Sequence, residues 1–80
     1  MKFDKLEKYR NLIGMINDYN GYIGKIIANN NEYYFDKNNI VGNEELFNKD
    51  LVIFNSKTED IFPQAYYVKK IDYNELNKYR

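Results

Sequence analysis

Short runs of β-branched and aromatic residues, separated by asparagine, glycine and aspartate, confine this chain to a small, mainly β architecture. Leu12-Ile13-Gly14-Met15-Ile16 is the first such run. It ends in Asp18-Tyr19-Asn20-Gly21, where Asn-Gly accepts positive φ at little cost and signals a turn. Tyr22 to Ala28 follows as a second strand with Gly24 inside it, Asn29-Asn30-Asn31 as a polar loop, and Glu32 to Asp36 as a third strand rich in aromatics. A longer connection then runs through Lys37-Asn38-Asn39 and Ile40 to Asn43-Glu44-Glu45-Leu46-Phe47. Asn43 is placed to cap one helical turn there, and two glutamates suit its N-terminus. Leu51 to Phe54 is the fourth strand, Ser56 to Asp60 a charged loop, and Gln64 to Ile71 the fifth strand. Pro63 precedes that strand and so avoids a ladder position.

The ends change period. Phe3, Leu6 and Tyr9 recur every three residues, which predicts a short helix over the first ten. Asp72 with Glu75 has the spacing of a capping box and predicts a second short helix toward Arg80. Helices this short need a surface to pack on. Both are expected to cap the open ends of a barrel and bury Phe3, Leu6 and Leu76; the competing use is a docking surface for a partner or a second copy. The organisation expected is one domain over 1–80, with a core at 12–71 and extensions at 1–11 and 72–80.

A chain of 80 residues has a small stability margin, on the order of a few kcal/mol. It contains no cysteine and no histidine, which removes disulfides, the usual zinc sites, cysteine nucleophiles and histidine acid–base chemistry. The missing cysteines fit a reducing cytoplasm, the location expected. Leu51-Val52-Ile53-Phe54 is among the longest apolar runs, far short of the roughly 20 residues a membrane span needs. The N-terminus lacks the apolar stretch of a signal peptide. Twelve basic and 12 acidic side chains cancel, whereas a dedicated nucleic-acid binder is usually basic. The balance is uneven along the chain. Lys2, Lys5, Lys8 and Arg10 outweigh Asp4 and Glu7 at the start, and Glu44, Glu45, Asp50, Glu59 and Asp60 outweigh Lys49 and Lys57 later. Asn, Lys, Ile and Tyr are the residues that AT-rich coding supplies, so the positions of the tyrosines carry more information than their number.

Five strands with a long connection after the third predict a five-stranded OB-type barrel; another small barrel, such as an SH3-like one, is the alternative. Four stretches narrow this choice. Gly14-Met15-Ile16 is followed by Tyr19-Asn20; Gly21-Tyr22-Ile23-Gly24 interleaves glycines with an aromatic; Tyr33-Tyr34-Phe35-Asp36-Lys37-Asn38-Asn39-Ile40 closes on isoleucine; and Lys49-Asp50-Leu51-Val52-Ile53-Phe54 precedes Pro63-Gln64-Ala65 and Val68. In this order they resemble the cold-shock domain family over Gly14 to Val68, about two-thirds of the chain. The second and third stretches are similar to that family's two ribonucleoprotein motifs, and Pro-Gln-Ala is the most specific piece.

The resemblance implies a barrel that binds single-stranded RNA or DNA, with bases stacked on aromatics of strands one to three and lysines on the phosphates. Carried onto this chain, the stacking candidates are Tyr19, Tyr22 and Tyr34, and the phosphate candidates are Lys25 and Lys37. The bland alternatives are strand tyrosines packed with their hydroxyls at the surface and ordinary solvated lysines. Tyr33 and Phe35 alternate with Tyr34 and are expected in the core. If Ile26 faces the core, alternation turns Tyr22 and Gly24 inward and Ile23 and Lys25 outward, unless a bulge at the turn reverses Tyr22. The chain also departs from the family pattern. Asp18 stands where tryptophan is frequent, Asp36 where the second motif has histidine, and Lys37 where an aromatic follows. Asp18 and Asp36 are better read as solvated carboxylates than as a metal or acid–base pair, since no further ligand motif accompanies them. Lys69 and Lys70, being adjacent in a strand, are expected on opposite faces. The function expected is therefore binding without catalysis, cofactor or metal, the alternative being a protein-interaction domain with a partner or a homodimer.

Overall fold

The computed structural model describes residues 9–42, 44–57, 63–72 and 74. Five strands form one antiparallel sheet: β1 (Tyr9–Asn17), β2 (Ile23–Ala28), β3 (Asn31–Asp36), β4 (Leu51–Lys57) and β5 (Tyr66–Lys70). Their order across the sheet is β3-β2-β1-β4-β5. One 3-10 turn, Lys37–Asn39, follows β3. The helix expected over 72–80 lies outside the described residues, apart from Asp72 and Asn74. No helix among the described residues is long and apolar enough to cross a membrane.

The sheet curls into a half-barrel because β1 serves two partners. Its first part pairs only with β4, from Tyr9 opposite Lys57 to Gly14 opposite Val52. Its last three residues, Met15 to Asn17, pair with Ile27, Ile26 and Lys25 of β2. Gly14 sits where the second partnership begins, and a Cβ there would lie 2.6 Å from both the Ile26 Cγ2 and the Ile27 carbonyl oxygen. At the far side β3 meets the approach to β5 in parallel: the Tyr34 N–H donates to the Pro63 carbonyl and the Ala65 N–H donates to the Tyr34 carbonyl, both at 2.8 Å.

Alternating side chains fill the concave side. Ile16, Ile26, Phe35, Val52, Phe54, Ala65 and Val68 are buried there, joined by Ile40 and Leu46 from the long connection. Phe35 is a core residue as expected, while Tyr33 is half-buried with its ring centroid 5.1 Å from that of Phe54.

Four local expectations are corrected. Tyr9 and Arg10 are strand rather than helix, and Ser56 and Lys57 are strand rather than loop. These corrections share a cause, since Tyr9 pairs with Lys57 and Arg10 with Ser56, and ladder hydrogen bonds between distant segments outweigh a weak helical period. Residues 1–8 of the expected helix lie outside the described residues. Residues 44–47 form no helical turn. The Glu44 carboxylate instead accepts the Lys70 N–H at 2.8 Å, and the Asp50 carboxylate accepts the Phe47 N–H at 2.8 Å. These side-chain contacts compete with helical hydrogen bonding. Asn31, expected in the loop, opens β3.

Candidate functional site

The β2–β3 hairpin sets the geometry. Asn29 and Asn30 adopt φ of 52° and 65°, the left-handed pair that a two-residue turn requires to match strand twist. With that turn in place Ala28 pairs with Asn31, Ile26 with Tyr33, Lys25 with Tyr34 and Ile23 with Asp36. Gly24, Ile26, Ala28 and Phe35 are buried on the inner face, so Ile23, Lys25, Tyr34 and Asp36 belong to the outer one. Asn17 of β1 pairs with Lys25 in turn. Asn17, Lys25 and Tyr34 thus form one row across three strands, with neighbouring Cβ atoms about 5 Å apart.

Tyr34 is 47% exposed although its backbone is held by the contacts with Pro63 and Ala65. The ring is a solvent-facing platform on a fixed strand. Beside it opens a hollow of about 410 Å³ lined by Asp18, Asn20, Ile23, Lys25, Tyr34 and Asp36, among others. Lys25 Nζ lies 3.9 Å from Glu32 Oε2 with both side chains partly solvated, a pairing worth at most about 1 kcal/mol. Lys25 therefore stays available to an incoming anion.

The rim of the hollow is ordered by side-chain amides. The Asp36 carboxylate accepts the Asn38 N–H at 2.7 Å, and the Asp36 N–H donates to Asn39 Oδ1 at 2.8 Å, which caps the 3-10 turn reciprocally. Gln64 Nε2 donates to the same Asn39 Oδ1 at 2.9 Å and ties β3 to the β5 approach. Asn20 Oδ1 accepts the N–H groups of Tyr22 and Ile23 at 2.9 and 3.0 Å, fixing the turn into β2.

The other candidates lie elsewhere. Tyr19 is half-buried, with its ring centroid 5.1 Å from that of Phe35. A Cβ on inward-facing Gly24 would stand 2.9 Å from its Cδ1, so Tyr19 covers the end of the core rather than joining Tyr34 on the outer face. It lines a second hollow, of about 480 Å³, with Lys37, Leu46 and Phe47. Asn20 lines both hollows. Tyr22 is 72% exposed, against the inward direction that alternation from Ile26 predicts. The reason is that β2 starts at Ile23, and Tyr22 belongs to the Asn20-anchored turn, where period-two alternation does not apply. Its carbonyl accepts the Lys37 N–H at 2.8 Å. The structure thus joins Lys25 with Tyr34, places Tyr19 and Lys37 together on a separate hollow, and leaves Tyr22 on the turn.

Ile23, 62% exposed, and Met15 are large apolar side chains open to solvent beside this row. Alternation gave the outward direction of Ile23, whereas nothing in the sequence singled out Met15. Gln64 was read as the start of the fifth strand and part of Pro-Gln-Ala, without a role at the site, and Phe47 is exposed where its neighbour Leu46 is buried. Lys69 and Lys70 are both exposed and stand opposite Ile53 and Val52, on the two faces of the sheet as expected of them. Lys70 Nζ lies 3.7 Å from Asp50 Oδ2, and neither lysine lines either hollow. The pairing of β5 with β4 is irregular between Ile53 and Asn55, where Tyr67 takes φ of 54°, and it is regular again at Lys69 and Lys70.

Among the described residues no group of three or more acidic, cysteine or histidine side chains is arranged to hold a metal ion. The fold and the site together define a small, mainly β half-barrel with an aromatic and a cation side by side on its outer face. Comparison of the chain with family models, with curated proteins and with solved structures gives no match.

Proposed function

We propose that this domain binds single-stranded nucleic acid across the outer face of β1, β2 and β3, as an OB-type barrel similar to cold-shock domains. The observation that carries this reading is the direct pairing of Lys25 with Tyr34 on the solvent side of the sheet, beside an open hollow. A base stacks on the Tyr34 ring and the Lys25 ammonium meets the adjoining phosphate. The central position of β1 and the parallel contact of β3 with the β5 approach support the OB assignment. Lys37 and Tyr19, lining the second hollow, extend the path past Asn20. In this reading the domain is a binding module, not an enzyme.

Binding is expected to be modest and salt-sensitive, since few cations line the face. Tyr34→Ala is expected to weaken binding about tenfold, the effect of losing one stacked base at roughly 1–3 kcal/mol. Lys25→Ala is expected to lower the slope of log affinity against log salt by about 0.7, the contribution of one phosphate contact on a single strand. Anisotropy of a labelled single-stranded oligonucleotide at low and moderate salt measures both; the chain has no tryptophan to report instead. Absence of saturable binding at low salt, or an unchanged affinity in Tyr34→Ala, sinks the proposal.

A second reading has its own observation. Met15 and Ile23 are exposed apolar side chains near Tyr34 on a chain of zero net charge, a surface suited to a protein partner or a second copy. It predicts a dimer mass by light scattering that reverts to monomer in Ile23→Glu. A monomer mass for the parent protein, together with oligonucleotide binding, counts against it.

A further inference from the structure

We infer that the hollow beside Tyr34 selects guanine, with the Asp36 carboxylate accepting from the Watson–Crick edge of the base; this rests on the nucleic-acid reading above. Residues two apart in a strand lie on one face about 7 Å from each other. Tyr34 and Asp36 stand in that relation on β3, and both line the hollow. A base stacked on the Tyr34 ring therefore extends its edge to hydrogen-bonding distance of Asp36. The hollow, at about 410 Å³, falls in the size range of small-ligand sites.

The chemistry then discriminates. A carboxylate is acceptor-only, with about four lone-pair sites. The backbone N–H groups of Asn38 and Asn39 take two of these at Asp36, which aims the group and leaves about two acceptor sites for a base. Two adjacent donors satisfy such a pair of oxygens, and guanine alone offers them, at N1 and at the 2-amino group. Adenine and cytosine each place an acceptor beside their single amino donor, and uracil or thymine flanks one donor with two acceptors. Asp18 lines the same hollow and adds a second negative charge. That charge disfavours a phosphate inside the hollow and leaves the space to a base, while Lys25 remains for the backbone.

Asp36→Asn tests this cleanly, because asparagine serves as well as aspartate at a helix cap and keeps an oxygen for the Asn38 N–H. Labelled uridine tracts carrying one central guanine, adenine, cytosine, uracil or inosine would be titrated against the parent protein and the variant, with a thermal melt to check folding. The central-guanine tract is expected to bind the parent about tenfold or more tighter than the other three natural bases. Inosine, which lacks the 2-amino group, is expected in between. The preference for guanine over the other three bases should vanish in Asp36→Asn. Equal affinities for the four natural bases, or a guanine preference that survives in the folded variant, overturn the guanine assignment and leave the general binding proposal standing. Failure of every tract to bind at low salt overturns both.

Discussion

Phe54→Ala is expected to leave most of the molecules unfolded at room temperature. Phe54 is 1% exposed, stands on the inner face of β4 between Val52 and Ser56, and packs its ring at 59° to that of Tyr33. Truncating a buried phenylalanine to alanine costs about 3–5 kcal/mol, the lost transfer energy adding to that of the cavity left behind. A domain of this size holds only a few kcal/mol in total. No disulfide can restrain the unfolded chain, since cysteine is absent. Neighbouring strands cannot close over the gap, because β4 lies between β1 and β5 in the sheet. Thermal unfolding followed by far-ultraviolet circular dichroism measures the effect. At about 4–8 °C per kcal/mol for a domain this small, the midpoint should fall by more than about 12 °C. A midpoint within a few degrees of the parent value would show that the Phe54 side chain does not anchor the core.

Gly14→Ala is expected to have the next largest effect, out of proportion to the single methyl group it adds. The new Cβ would meet Ile26 Cγ2 and the Ile27 carbonyl oxygen at 2.6 Å and the Ala28 Cβ at 3.0 Å. The isoleucine methyl can rotate away. The carbonyl oxygen cannot, because it is backbone of the strand whose Ile27 pairs with Met15, next to Gly14 itself. Relief requires β2 to move off β1, and overpacking of this kind costs roughly 1–3 kcal/mol or more. The displacement would also carry Lys25 away from Asn17, so binding at the outer face should weaken along with stability. Gly21→Ala makes a useful contrast. A Cβ at Gly21 has nothing within 4 Å, so only its positive φ of 97° is unfavourable, a conformational cost of order 1 kcal/mol. Urea titration of the two variants should place Gly14→Ala well below Gly21→Ala. The reverse order would mean that the approach of β2 to β1 tolerates a side chain.

Much of the site was legible because alternation is a local property. Once Ile26 and Phe35 are taken as core residues, Lys25 and Tyr34 must point away from it, whatever the rest of the chain does. The same reasoning left the direction of Tyr22 open, and the turn decides it, since alternation holds only within a strand and the strand begins one residue later. On β5 it held for Lys69 and Lys70, although an irregular ladder and the left-handed Tyr67 interrupt the strand just before them. Helix signals failed at Tyr9–Arg10 and at 44–47. A three-residue period and a pair of glutamates are weak local preferences, and pairing with β4 or with Lys70 supplies hydrogen bonds that no local rule anticipates.

By itself, then, the sequence determined the existence of five short strands, their turns at asparagine and glycine, and the inward or outward direction of residues well inside a strand. Each of these depends on interactions between residues a few positions apart. Only the tertiary structure decided which side chains meet: that Lys25 lies opposite Tyr34 with Asn17 beyond it, that Tyr19 covers Phe35 instead of facing solvent beside Tyr34, and that Gln64 and Asp36 share a rim through Asn39. Those meetings follow from strand register and from the contact of β3 with the β5 approach, which joins Tyr34 to Pro63 and Ala65 across nearly thirty intervening residues. Hydrogen bonds formed at that separation, and the burial they permit, leave no trace in any local pattern of residues.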